Sequence, residues 1–423
     1  MSESEFARKA AEHFTQPEGA SFLGESIDSW RRTTRAELGL PTQRPLIMTG
    51  HQAGLWHAGI AEKFIVAHRI ARDIDGAVVH VVVDHDTNDA SLIAYPALSP
   101  TIEHGTITRF ALDRSPRCTA PNALRKPVRI MRPERAHEVP ALIEVQLKRI
   151  ESAVRAHFGR ENLALQMAHA ANDLLAPHAI VDFTITATAL AATTLARAIR
   201  ANFAALRSAY NAVIRDERIA TLAPDELPFW VLEPPATRRA FRDADRASEH
   251  ELRIAPRALT LTAIARLAGC DLFIHGTGGA KYDIAMERWM SAVSGSSAAE
   301  ILAPMIAATA TRLAPLQQWA PTLDSIVTPS ALHALQHDPF HDSGSTKRSL
   351  VSAIAGSPAA KRAAYQIMHQ ALKRERRVRT DEFAQLSARI AAHSTASSAA
   401  QLANDRTWPF PLSISKDENR IKS

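Results

Sequence analysis

The stretch Ala77–Val83, AVVHVVV, constrains the fold of this chain more than any other. It has the length of a strand, is rich in β-branched side chains, and lacks the alternation of a half-exposed strand. A strand of that kind needs both faces covered, which is the condition inside a parallel sheet with helices on either side. The preceding residues meet that demand. A short apolar run, Leu46, Ile47 and Met48, follows the breaker-rich PTQRP, and a helix is expected from about Ala58 to Asp73. Strand, helix and strand make one βαβ unit, expected with a right-handed crossover.

The rest of the chain extends this pattern. Residues 1–40 read as amphipathic helix, 140–176 as helix, and 187–219 as one long Ala-rich helix. Shorter extended segments are expected within 101–130, and Ala179–Thr184 is a further strand candidate. In ELPFWVLEPP, Phe229 and Trp230 are aromatics suited to a core or a pocket wall. A helix around Thr260–Ala268 leads into CDLFIHG, a third strand-like run ending at Gly276 before the Gly-rich GTGGAKYD. After residue 300 the sequence turns to Ala, Ser and Leu in helical patterns. The expected organisation is an α/β core over 1–300, with inserted helical segments, and a helical appendage over 301–423. Within the appendage, 338–347 reads as a loop and 359–393 as one helix long enough for a hairpin or dimer contact, without a sustained heptad repeat.

Composition narrows the functional classes. The 423 residues are 46% hydrophobic and 22% charged, and no stretch approaches the roughly 20 apolar residues that span a bilayer. The N-terminus MSESEFARKAAEHF lacks the apolar core of a secretory signal, so a cytoplasmic location is the default expectation. Cys118 and Cys270 have no Cys or His at zinc-ligand spacing and read as two reduced thiols. The 50 basic and 44 acidic residues are interspersed, which argues against a polyanion-binding face. The basic KRERRVR at Lys373–Arg379 is read first as a solvated helix face.

In open α/β sheets, ligands collect at the carboxyl ends of strands, and three polar clusters follow predicted strands. The first runs from Gly50 to Lys63, GHQAGLWHAGIAEK, with His51, Gln52, His57 and Gly59 between. Its glycines let backbone approach a ligand, the following helix offers free amides to an anion, and Lys63 adds a charge. The second is Asp84, His85, Asp86 and Asp89, able to orient an amine or hydroxyl, act as base, or hold magnesium with a nucleotide. It is no calcium loop, because Asp89 stands where that loop needs glycine. Turn-capping carboxylates are the plainer alternative. The third is His275, Gly276, Gly278, Gly279, Lys281 and Tyr282, where consecutive glycines could cradle phosphate, although no complete phosphate-loop motif is present.

These turns, in this order, resemble the bacillithiol biosynthesis cysteine-adding enzyme family. TGHQAGLWHAGIAEK is similar to that family's TGQQAGLxTGPLYTxxK, keeping Thr49, Gly50, Gln52, Ala53, Gly54, Leu55, Gly59 and Lys63. VVVDHD resembles EDHDFxE through Asp84, His85 and Asp86, and the third turn resembles GGPGEIAY through Gly276, Gly278 and Tyr282. The resemblance covers residues 45–300. It implies a Rossmann-like core akin to class I aminoacyl-tRNA synthetases and nucleotidyltransferases, a helical coiled-coil dimer region, and ATP with magnesium as cofactor. The implied activity is a ligase joining a cysteine carboxyl to the amine of an amino-sugar conjugate. The chain departs from the family at His51, at HAGIAE, at Val83 and at Gly279, which removes two acidic groups and adds imidazoles.

Three functional readings follow. The first is such a ligase, with Lys63 and the helix N-terminus binding an anion, Asp84 and Asp86 an amine or metal, and His85, His51 and Asp86 as catalytic groups. The second is a non-catalytic ligand-binding or scaffold protein on the same fold. The third is an RNA-associated factor using the basic helix, which the interspersed charge disfavours. Small-molecule substrates, a homodimer and no membrane are expected for the first two.

Overall fold

The computed structural model describes residues 2–15, 19–98, 107–112, 120–130, 138–215, 220–319, 329–340 and 345–413. Cys118 lies outside them. In chain order the elements that matter are α1 (Glu3–Thr15), α2 (Ile27–Glu37), β1 (Leu46–Gln52), α3 (Ala58–Asp73), β2 (Ala77–Val83), α4 (Ala141–Ala156) and α5 (Leu163–Leu175). Then come β3 (Phe183–Thr186), α6 (Ala187–Ala191), α7 (Thr194–Ile214), β4 (Glu226–Glu233), β5 (Thr237–Arg242), β6 (Arg253–Pro256) and α8 (Ala258–Ile264). They are followed by β7 (Leu272–His275), α9 (Thr277–Ser294) and β8 (Met305–Ala307).

A five-stranded sheet in the order β8-β7-β1-β2-β3 is parallel throughout. The chain enters at β1, builds outward through β2 and β3, and returns to the other side of β1 with β7 and β8. That reversal is the Rossmann-like order, and it leaves a crevice at the carboxyl ends of β1 and β7. Both faces are covered, as the unalternating run of β2 demands. Val78, Ile47, Leu272 and Ile274 pack toward α3 and α1, while Val79, Val81, Met48 and Phe273 pack into the larger core with α2, α7, α8 and α9. A second, antiparallel sheet, β6-β4-β5, is inserted between the third and fourth parallel strands.

At the amino end of β7, buried Asp271 accepts from Arg31 Nη2 at 2.6 Å, Arg35 Nη2 at 3.0 Å and the Leu46 amide at 2.8 Å. It fastens α2 to the sheet. Burial alone would raise the Asp271 pKa, but the hydrogen bond from His13 and the charges of Arg35 and Arg31 bring it below the usual carboxylate range.

Helix and strand types match expectation more closely than helix lengths do. Residues 1–40 form two helices around a short hairpin, Ser21–Phe22 with Glu25–Ser26, and Ser26 caps α2. The stretch 140–176 breaks at Asn162, which caps α5, and 187–219 breaks at Thr193, which caps α7. In both, a short polar side chain that bonds an amide of the next turn starts the second helix.

The chain divides into two compact units: 1–97, 109–315 and 405–423 in the first, and 98–108 with 316–404 in the second. This differs from a cut at residue 300, because β8 completes the parallel sheet and Trp408, Phe410 and Leu412 are buried in the first unit. The second unit contains α10 (Pro329–His337), α11 (Ser345–Ser352), α12 (Pro358–Val378) and α13 (Thr380–Ala403). The single helix expected over 359–393 is broken at Arg379 into α12 and α13. Lys373, Arg374, Arg376 and Arg377 lie exposed on α12. No described helix is long and apolar enough to cross a membrane.

Candidate functional site

The first junction is closed. β1 continues to Gln52, so Gly50, His51 and Gln52 belong to the strand rather than to a turn. Gly50 is required by β2: a Cβ there would lie 2.6 Å from the Val81 carbonyl oxygen. His57 caps α3, its Nδ1 accepting from the Gly59 amide at 3.1 Å. Gly59 sits against the chain just after β8, where a Cβ would come 2.7 Å from the Ala310 carbonyl. The Phe410 amide donates to Trp56 O at 2.6 Å, and the Trp56 ring stacks on Phe64 at 4.9 Å. The expected anion site at the α3 N-terminus is therefore not open. The cap, Gly59's neighbours and the returning C-terminal segment occupy it.

Lys63 points inward instead. It is 3% exposed and its Nζ donates to Gly50 O at 2.5 Å. Burial pushes its pKa down to about 7. Beside it, burial first and the Lys63 charge second push His51 down to about 3. His80, unremarked in the sequence, is fully buried between these groups and Asn172, and burial brings it to about 3 as well. His51 Nδ1 and His80 Nε2 are buried without hydrogen-bond partners.

The second cluster splits. Asp84 turns toward α6, accepting from Thr188 Oγ1 at 2.5 Å and the Thr188 amide at 3.2 Å, and burial pushes its pKa up to about 6. Asp89 accepts from Ser91 Oγ at 2.7 Å and Arg125 at 3.0 Å, which makes it a turn residue. Asp86 pairs with Arg238 at 3.0 Å and also accepts from Gln52. Asp84 and Asp86 thus do not share a metal, and no group of three or more His, Cys, Asp or Glu able to hold a metal occurs among the described residues.

The third cluster is a helix start, not a glycine loop. Gly276 is the N-cap of the 18-residue α9 and provides no side-chain cap. Gly278 and Gly279 lie in the first turn. A Cβ on Gly278 would meet nothing within 4 Å, while one on Gly279 would come 2.5 Å from His275 Nδ1. Lys281 and Tyr282 are exposed. His275 Nε2 lies 3.2 Å from Asp283, which Arg266 holds at 2.6 Å.

Parts of all three clusters meet at one cavity of about 540 Å³ in the β1/β7 crevice. Gly50, His85, Asp86, His275 and Tyr282 line it, with an apolar wall of Val81, Val83, Leu259, Leu261 and Phe273. His85 is 5% exposed and its Nδ1 has no partner. Burial pushes its pKa down to about 4, so it stands neutral at pH 7. His51, Gln52, His57, Gly59, Lys63, Asp84, Asp89, Gly276, Gly278, Gly279 and Lys281 are not among the lining residues.

The opposite wall comes from the inserted sheet and its neighbours: Trp230, Arg238, Arg257 and Thr262, with Tyr210. Of the two aromatics in β4, Trp230 is pocket wall and Phe229 is core, at 0% exposed. The arginines carried no motif. Both follow the Pro-bounded aromatic strand in sequence, and no local pattern marks them. No protein-family model matches this chain, and no curated protein matches it.

Proposed function

We propose that this cavity is the active site of a carbon–nitrogen ligase joining an amino-acid carboxyl, cysteine-like, to the amine of a small acceptor such as an amino-sugar conjugate. One observation carries the reading: a neutral, buried imidazole, His85, with a partnerless ring nitrogen, in the wall of a strand-end cavity whose shape is already formed. Amide formation needs a base to take the proton an amine sheds as its nitrogen attacks an acyl carbon. In that step the C–N bond forms, the bond from carbonyl carbon to its activated oxygen breaks, the neutral ring nitrogen of His85 accepts a hydrogen bond that orients the attacking amine, and the proton leaves with the departing phosphate. Arg238, bonded to His85 O and Asp86, fixes this segment.

A free carboxylate is a poor electrophile, and a bound nucleotide would supply the phosphate that activates it. The residues that would take its phosphates are at α9, where the helix start has no side-chain cap, exposed Lys281 supplies a charge, and His275 and Tyr282 of the same segment line the cavity. The residues present do not fit a magnesium ion held by Asp84 and Asp86. The likeness to class I synthetases and nucleotidyltransferases and a homodimeric state belong to this proposal. The parallel-sheet order supports the former.

A second reading is favoured by a specific observation: Lys63 bonds Gly50 O, Asp84 bonds Thr188 and Asp89 bonds Ser91 and Arg125, and none of the three lines the cavity, as in a binding protein without catalysis. Incubation with ATP, magnesium, cysteine and glucosaminyl malate, followed by mass spectrometry, separates the two. An amide adduct that disappears in His85→Gln supports the ligase. Ligand binding without nucleotide turnover overturns it in favour of the second.

A further inference from the structure

We infer that Arg238 and Arg257, set over the Trp230 indole, form an oxyanion subsite in this cavity, and that Arg257 determines specificity for a substrate bearing a carboxylate or phosphate. This deepens the reading above and rests on the same cavity being the site.

The inserted sheet places the two guanidiniums. Arg238 stands on β5 and Arg257 follows β6, and their guanidinium carbons lie 4.8 and 4.0 Å from the centre of the Trp230 ring. An indole face holds a guanidinium by cation–π attraction and fixes its plane without consuming its N–H groups. The internal partners use few of those groups. Arg238 engages His85 O and Asp86 through Nη1 alone, at 3.0 Å each. Arg257 engages Glu226 through Nη2. Among the described residues, Arg238 Nη2 and Arg257 Nη1 have no hydrogen-bond partner, and Arg257 Nε is buried with none. His85 Nδ1, in the same lining, is buried without one too.

A guanidinium carries five donors in a rigid fork, and buried donors left unsatisfied are costly. Two forks lining one cavity, with spare donors, match the acceptor geometry of a carboxylate or phosphate. Each guanidinium has one carboxylate partner, Asp86 for Arg238 and Glu226 for Arg257, so the case for an anion rests on the donors those pairs leave unused. The apolar wall of Val81, Val83 and Leu261 then takes the uncharged part of the molecule.

The test is isothermal titration of the full chain with succinate, inorganic phosphate and neutral succinamide. Succinate or phosphate should bind and succinamide should not, and the stronger of the two anions identifies the source of the oxyanion. Arg257→Lys keeps a cation beside Glu226 but loses the fork, and should weaken the bound anion at least about tenfold with unfolding temperature retained. Arg257→Gln should weaken it further. Equal binding of succinamide, no binding of either anion, or unchanged affinity in Arg257→Lys overturns the subsite. The ligase reading fails separately: anion binding lost on Arg257→Lys without any turnover leaves the subsite standing, whereas turnover with an unchanged KM in that variant removes the subsite and keeps the ligase.

Discussion

The amino and carboxyl ends of the central strands handle buried charge in opposite ways. At the amino end, Asp271 is surrounded by Arg31, Arg35 and the Leu46 amide, so every charge has a counter-charge or a bond. At the carboxyl end, Lys63, His80 and His85 are buried and His51 half-buried, and among the described residues no carboxylate is hydrogen-bonded to any of them and three imidazole nitrogens have no partner. The first arrangement holds α2 to the sheet. The second costs stability at every pH where those bases would be charged in water, and such costs gather where a molecule does chemistry.

The largest break in this comparison is acid. His51, His80 and His85 have folded pKa values pushed down to about 3, 3 and 4 by burial, below the ordinary imidazole value of 6.5. Between pH 6.5 and those values the unfolded chain binds protons that the folded chain refuses, so stability falls as pH falls. Each group contributes about 1.4 kcal/mol per pH unit in that window, together about 4, against a total of about 5–15 for a domain. The first unit should unfold by about pH 5 in a circular-dichroism titration, before most of its ordinary carboxylates, with pKa near 4, are protonated. His80→Gln should move the midpoint to lower pH. A midpoint below pH 3 would show that the carboxyl end is not the strained end.

Next is the paired end. Asp271→Ala leaves two buried guanidiniums uncompensated and should cost about 3–5 kcal/mol in urea unfolding at pH 7. Lys63→Met, of similar volume, should do the reverse and stabilise by about 1–4 kcal/mol. The sign follows from linkage: the unfolded amine keeps its proton to about 10.5, the folded one only to about 7, so wild-type stability rises with pH across that window and the advantage of Met shrinks toward pH 10. If Met destabilises at pH 7, the bond from Lys63 to Gly50 outweighs its desolvation, and Lys63 joins the structural end.

The sequence made the sheet legible and the site only in part, for a physical reason. Ala77–Val83 and 58–73 carry their structure in local pattern, and the order of apolar runs is enough to infer parallel strands with a strand-end crevice. His85 and Asp86 follow β2 directly and Tyr282 lies early in α9 after β7, so local pattern is enough to place them near a strand end, where they line the cavity. Arg238 and Arg257 were not, since they reach the cavity from a sheet inserted between β3 and β7, and no short-range signal marks an arginine that will face a distant strand end. The closure of the α3 N-terminus was equally hidden. His57 is local, but Ala310 and Phe410 come from more than 250 and 350 residues further along the chain.

The smallest expected effect separates the two helix starts at the carboxyl end. The α3 start is capped and covered, and the α9 start is open, although both were read from glycines after a strand. Gly278 occupies the first turn of α9 with nothing near a Cβ, so Gly278→Ala should raise stability by about 0.5–1 kcal/mol through helix propensity. Gly279→Ala should lower it, because the Cβ would come 2.5 Å from His275 Nδ1 and displace the imidazole that touches Asp283. Thermal unfolding of the two variants reads the difference in sign. If both destabilise, the α9 start is packed as tightly as the α3 start, and the phosphate position assigned to it in the ligase proposal goes with it. If Gly278→Ala is stabilising and also weakens ATP binding, the glycine is spent on ligand approach rather than on the fold.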